Sequence, residues 1–171
     1  MAALSDIEIW QPLLIVIGLV TLVVGGFKVR ACIFCLLFSI LIADQFTGLL
    51  KSAITLFKKP TIRYSDQTDR NRSGPSFPSG HMMNNTAAAV CLTLFYRRRG
   101  WLYWIVAAAI GYSRIYLGGH WPSDVIATLF LAAGETFLIL AALEVVWRRG
   151  AQKWAPEVYG RHPSLIVDPT R

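Results

Sequence analysis

The sequence predicts an all-α fold: a polytopic membrane helical bundle of about five transmembrane helices, followed by a short tail. Three observations predict it. Hydrophobic residues make up 54% of the 171 residues against 16% charged, and the mean hydropathy is +0.47, too apolar for a domain that keeps its surface in water. The apolar residues gather into runs bounded by charge or by Gly and Pro, on the scale of the roughly 20 residues a helix needs to cross the hydrocarbon core. The basic residues behind the net charge of +7 cluster in the connections between those runs, so the charge reads as topology and not as a nucleic-acid surface.

Taken in order, the first run is Trp10–Phe27. Asp6 and Glu8 ahead of it and the lack of a small-residue cleavage site argue against a signal peptide, so this segment is expected to stay. Ala31–Phe57 is the second run, His81–Tyr96 and Trp101–Leu117 are shorter, and Trp121–Trp147 is the fifth. Residues 1–149 then form one transmembrane domain, and residues 150–171, with Pro156, Pro163 and Pro169, a cytoplasmic C-terminal tail. Lys28 and Arg30, then Arg97 to Arg99, then Arg148, Arg149 and Lys153 follow alternate runs. That pattern puts those connections in the cytoplasm and the N-terminus outside.

The connections 58–80 and 118–121 accordingly face out, although the first carries Lys58, Lys59, Arg63, Arg70 and Arg72. A basic outer loop reads either as a headgroup-contacting surface or as an anion site. Trp10, Trp101, Trp104, Trp121 and Trp147 fall at helix ends, as interfacial anchors do. Cys32, Cys35 and Cys91 lie inside apolar runs and read as packing residues, not as a disulfide or a zinc site.

Two clusters carry chemistry. The outer loop ends in Pro78-Ser79-Gly80-His81 and leads straight into the third run. Ser79 suits a helix N-cap, and the backbone donors of the first turn, aided by the helix dipole, suit phosphate oxygens, with Gly80 allowing close approach. Taken alone, Pro78-Ser79-Gly80 is a turn and a cap. His81 adds a group that exchanges protons near neutral pH, fit to be the general acid for a leaving alkoxide.

The second cluster is Ser113-Arg114, then Gly118-Gly119-His120-Trp121-Pro122-Ser123-Asp124. Pro122 fits the first position of a helix, and Asp124 follows His120 by four residues, within reach of the imidazole. A carboxylate there fixes the tautomer and leaves the other ring nitrogen nucleophilic, while Arg114 grips a phosphate. Singly, Asp124 is a helix N-terminal charge and Arg114 a snorkelling side chain. Their meeting with His81 in one compartment favours the chemical reading.

These clusters resemble the type 2 phosphatidic acid phosphatase family. Its motifs are Lys, six residues, Arg-Pro; then Pro-Ser-Gly-His; then Ser-Arg, five residues, His, three residues, Asp. The second and third match in full, on Pro78–His81 and on Ser113, Arg114, His120 and Asp124. The first departs from the pattern. Lys51 is followed by Lys58 at the arginine spacing, but Lys59 precedes Pro60, and lysine is a point charge where arginine offers a planar fork. Lys58, Lys59 and Arg63 are the candidates for the third cation, and Pro60 favours Lys59.

The resemblance implies a metal-independent phosphatase that removes phosphate from a lipid phosphate or diphosphate through a phosphohistidine, with no cofactor. Lys51, Lys59 and Arg114, with backbone donors at Ser79 and Gly80, would hold the phosphoryl oxygens. His120 would attack, oriented by Asp124, and His81 would protonate the leaving oxygen and then activate water. The family core has six helices against five runs here, which leaves room for oligomerisation. Expected partners are the bilayer and a lipid phosphate, in a bacterial inner membrane with the site facing the periplasm or exterior. Isoprenyl (undecaprenyl) diphosphate, phosphatidate, phosphatidylglycerol phosphate and lipid A all remain open as substrates, as does a non-catalytic lipid-phosphate binder or transporter. Asp44, seven residues before Lys51, reads as a support for the basic residues or as a helix-to-helix hydrogen bond; Glu135 reads equally as structural.

Overall fold

In the computed structural model, residues 16, 18–57, 75–97 and 99–166 are described. Lys58, Lys59, Arg63 and most of the first apolar run lie outside them. Residues 18–24 are helical, and the chain then breaks at Gly25 and Gly26. Arg30 closes that break: its guanidinium donates to the carbonyls of Leu22 at 2.8 Å and Val23 at 3.0 Å, which the helix end leaves without partners. Beyond it run α1 (Phe27–Phe57), α2 (Gly80–Tyr96), a 3₁₀ turn (Gly100–Leu102), α3 (Tyr103–Tyr116), α4 (Pro122–Trp154) and α5 (Pro156–Arg161). No strand occurs among the described residues, as the all-α prediction requires.

Packing is inverted relative to a water-soluble bundle. Phe34, Leu37 and Leu41 of α1 and Ile126, Phe130 and Leu138 of α4 are exposed, Phe130 at 71% and Leu138 at 74%. Exposed apolar area of this kind suits lipid as the solvent. The buried seams hold mostly small residues instead: Cys35, Ser39, Ala43 and Thr47 on α1, and Thr128, Ala132 and Thr136, followed by the larger Leu140, on α4. Each set repeats every four residues, which lets one ridge of small side chains seat closely against a neighbouring helix. On α4, Thr128 and Thr136 return their hydroxyls to carbonyls four residues back, so both donors are satisfied within the helix; the Thr47 hydroxyl of α1 is buried without a partner. The three cysteines are buried and unpaired, in keeping with a packing role.

Helix α2 is central, in contact with α1, α3 and α4. It meets α3 closely because Gly100 lies on the Leu92 carbonyl, where a Cβ would have no room. Helices Phe27–Ile54 and Pro122–Trp154 are each long and apolar enough to cross a membrane. At 17 and 14 residues, α2 and α3 span only about 25 and 21 Å at 1.5 Å per residue, short of the roughly 30 Å hydrocarbon core. Of the five expected transmembrane helices, two are thus of spanning length among the described residues, and α2 and α3 are short, as their apolar runs are.

The expected boundary at 149/150 falls inside α4, which runs on to Trp154. The chain beyond it folds back onto the bundle. Leu165 joins the core cluster of Cys35, Cys91, Phe95 and Leu140, and the Glu144 carboxylate accepts the backbone N–H groups of Leu165 and Ile166. Trp147 donates its indole N–H to the His162 carbonyl, and the His162 ring stacks on Phe27 with centroids 4.0 Å apart.

Candidate active site

The C-terminal ends of α1 and α3 and the N-terminal ends of α2 and α4 supply the candidate site. Ser79 occupies the N-cap of α2 with extended backbone (φ −78°, ψ 108°), and its carbonyl accepts the Met83 N–H at 2.9 Å, which starts the helix. Its hydroxyl does not cap: it is buried without a partner. Its backbone N–H, expected to face phosphate, instead donates to the Thr128 hydroxyl at 3.1 Å. The free backbone donors therefore begin one residue later, at Gly80, in the turn where helical N–H groups have no intrahelical acceptor, a geometry that suits an anion. A Cβ on Gly80 would meet only the Thr47 methyl, at 3.9 Å, so the space over this turn is open.

His81 follows in the same turn, exposed to the outside of the bundle. One turn inward, Asn85 donates to the His81 carbonyl and accepts from the Tyr103 hydroxyl of α3, tying that turn to the neighbouring helix. Asn84 donates to Asp44 of α1 at 3.0 Å. Of the two readings of Asp44, the helix-to-helix hydrogen bond is the one present. Glu135 has both carboxylate oxygens buried without a partner, well inward of Asp124 on α4.

Helix α3 ends at Tyr116, with Gly118 in the left-handed region at φ 70°. That conformation costs an L side chain energy and glycine none. The turn lets Gly119 donate to the Arg114 carbonyl and carries His120 toward the loop before α2. Arg114 lies in the last turn of α3 with its Nε buried and unpartnered. The Ser79 hydroxyl and the Arg114 Nε–H are among the buried polar atoms without a partner in the described residues; both can donate, so an anion is the class of ligand that would satisfy them.

His120 is half-buried, and its Nδ1 lies 2.7 Å from the Ser76 carbonyl oxygen. A carbonyl only accepts, so Nδ1 carries the proton and Nε2 keeps its lone pair in the neutral ring. Asp124 had been expected to hold this ring nitrogen. Its Oδ2 accepts the Trp121 N–H at 3.3 Å instead, within the first turn of α4. The carboxylate acts on His120 through charge. Burial depresses the imidazole pKa below its ordinary value; Lys51 and Arg114 add to that, while the Ser76 carbonyl and Asp124 oppose it. Lys51, Arg114 and Asp124, from three helices, thus share one electrostatic neighbourhood with His120.

Sequence reasoning missed Ser76 and Thr128. Thr128 follows Asp124 by one helical turn, a visible signal, but its bond to a residue 49 positions earlier is a tertiary fact. Among the described residues, no group of three or more His, Cys, Asp or Glu side chains is placed to hold a metal ion.

Residues 32–149 match the family model of the PAP2 superfamily. The bacitracin transport permease protein BcrC of Bacillus licheniformis is 40% identical over 72 residues, 42% of this chain and 32% of that protein. An undecaprenyl-diphosphatase of Sulfolobus acidocaldarius is 42% identical over 64 residues, 37% of this chain and 31% of that protein. A lipid A 4'-phosphatase of Bacteroides thetaiotaomicron is 28% identical over 137 residues, 74% of this chain and 61% of that protein. The matched segments thus span about a third of the first two relatives and less than two thirds of the third. No solved structure matches the chain significantly.

Proposed function

The chain belongs to the PAP2 superfamily, and from that premise we propose that it is a membrane phosphatase that removes phosphate from a lipid phosphate or diphosphate through a phosphohistidine. The observation that carries this reading is the His120–Ser76 contact, which leaves Nε2 as the nitrogen with a lone pair. It is joined by two unpartnered groups that suit phosphoryl oxygens, the Ser79 hydroxyl and the Arg114 Nε–H. Lys51 and Arg114 supply positive charge, and the first turn of α2 supplies backbone donors.

In the proposed cycle, Nε2 of His120 attacks phosphorus in line as the ester or anhydride oxygen departs, and His81 gives that oxygen a proton. His81 then takes a proton from water, which attacks the phosphohistidine, releasing inorganic phosphate and restoring the imidazole. Lys51, Arg114 and the helix N-terminus carry the developing charge, so the chemistry asks for no metal, and turnover is expected to survive EDTA. The third cation of the family pattern is assigned to Lys59, with Lys58 and Arg63 as the competing assignments; all three lie outside the described residues.

The relatives named for undecaprenyl diphosphate and for lipid A support a bacterial envelope lipid as substrate. The inner membrane, with the site facing the periplasm or exterior, is the location proposed. The deciding experiment is phosphate release from a panel of undecaprenyl diphosphate, lipid A, phosphatidate and phosphatidylglycerol phosphate, with trapping of labelled phosphate on the protein. Trapped label that His120→Ala abolishes is the expected result. A His120→Ala variant with full activity would end the proposal, and binding of these lipids without release would point to a lipid-phosphate binder.

A further inference from the structure

We infer that Thr128 is a positioning residue for the nucleophile, clamping the Ser76–Ser79 loop to α4 so that the Ser76 carbonyl stays on Nδ1 of His120. The inference rests on the reading of His120 as nucleophile. None of the three sequence motifs contains Thr128.

A threonine hydroxyl has one proton to give and lone pairs to accept with. Here the proton goes to the Asp124 carbonyl at 2.6 Å, one turn back along α4. That bond aims the lone pairs away from the helix, and the Ser79 N–H meets them at 3.1 Å. Thr128 and Ser79 are both fully buried, so no water can stand in for either partner if the hydroxyl is removed.

The contacts close a ring. From His120 the chain runs through Trp121 and the first turn of α4 to Thr128, crosses to the Ser79 N–H, and returns along the loop to the Ser76 carbonyl and Nδ1. One tie alone would let the loop pivot about Ser76. The second tie, three residues on, fixes the direction in which that carbonyl points. The Asp124 side chain is directed to the Trp121 N–H in its own helical turn, not to the Ser76–Ser79 loop. Among the described residues the charged groups acting on His120 are Lys51 on α1, Arg114 on α3 and Asp124 on α4, while the direct hydrogen bond to Nδ1 is that of the Ser76 carbonyl.

The test uses Thr128→Val, which keeps the shape and loses the hydroxyl, with Thr128→Ser as the conservative control and Thr128→Ala as a second deletion. Each full-length variant, in detergent, is assayed on the phosphate lipid that the wild type turns over, and its histidine ring nitrogens are read by ¹⁵N NMR. The chain has only three histidines, so His81→Asn and His162→Gln assign the spectrum. In the wild type His120 should be protonated on Nδ1. In Thr128→Val and Thr128→Ala that signature should become mixed, and kcat should fall about tenfold or more with KM little changed; Thr128→Ser should restore both.

Loss of the carbonyl contact should also move the acid limb of the pH profile to lower pH, because that contact favours the charged ring. A Thr128→Val protein with the wild-type ring signature overturns the inference, whether or not it is less stable. So does unchanged kcat. The two readings fail separately: full activity of His120→Ala sinks the nucleophile assignment, whereas the ring signature of the Thr128 variants judges the clamp without any turnover.

Discussion

At the scale of single residues, His120 is balanced between opposing charges, and the balance gives signed predictions. A nucleophilic His120, as proposed, must be neutral, so kcat/KM should rise with pH through the imidazole pKa of the free enzyme. Burial, Lys51 and Arg114 set that pKa below the ordinary 6.5, and the acid limb should lie below it too. Asp124→Asn removes a charge that raises the pKa and should move the limb further down, with lower kcat because the imidazolium-like intermediate loses its counter-charge. Lys51→Met removes a charge that lowers the pKa and should move the limb up while raising KM. A pH–rate series on both variants checks the signs, and shifts in the same direction would refute this electrostatic assignment. His162→Ala should leave kcat and the pH profile unchanged, since that ring stacks on Phe27 at the other end of the bundle. It should still lower the melting temperature in detergent, the lost aromatic pair being worth roughly 0.5–1.5 kcal/mol.

At the scale of elements, two joints hold the bundle in register. The turn before α3 brings Gly100 onto the backbone of Leu92 and Thr93, so Gly100→Ala must push α2 and α3 apart. It should cost roughly 1–3 kcal/mol by overpacking, read as a drop in thermal midpoint. Topology probes in this connection therefore belong at the exposed Arg99. The second joint is the Glu144 carboxylate, which gathers the N–H groups of Leu165 and Ile166 and the Arg148 guanidinium. Glu144→Ala should release the segment around His162–Ile166 to hydrogen exchange and proteolysis while sparing turnover. An unchanged exchange pattern would show that the apolar contacts of Leu165 hold the segment without it.

At the scale of the whole molecule, the proposed site and the clasp of Glu144 on Leu165 and Ile166 lie at opposite ends of the bundle. Helix α4, at 33 residues, is about 50 Å long, well beyond the hydrocarbon core, so it connects the two. Orientation is testable with single cysteines, because Cys32, Cys35 and Cys91 are buried and give little background. Gln67→Cys should label from outside intact cells and Arg99→Cys only after permeabilisation. The reverse pattern would invert the proposed topology.

The sequence by itself determined the helical class, the family resemblance and the candidate residues of the site, because hydropathic runs and motif spacing are local properties of the chain. Pro78–His81 could be read as a helix start, and the order Ser113, Arg114, His120, Asp124 as a helix end, a turn and a helix start, since caps and turns depend on a few neighbouring residues. Tertiary structure decided who touches whom. The partner of Nδ1 is a backbone carbonyl, and carbonyls leave no mark in a sequence, so Ser76 could not be read there and Asp124 was given its place. Thr128 was legible only as a residue one turn after Asp124; its bond to Ser79 exists because α2 and α4 cross there. Residues 150–171 read as a tail because Pro156, Pro163 and Pro169 mark them, yet Leu165 is held by core positions on α1, α2 and α4, a burial that local composition does not encode.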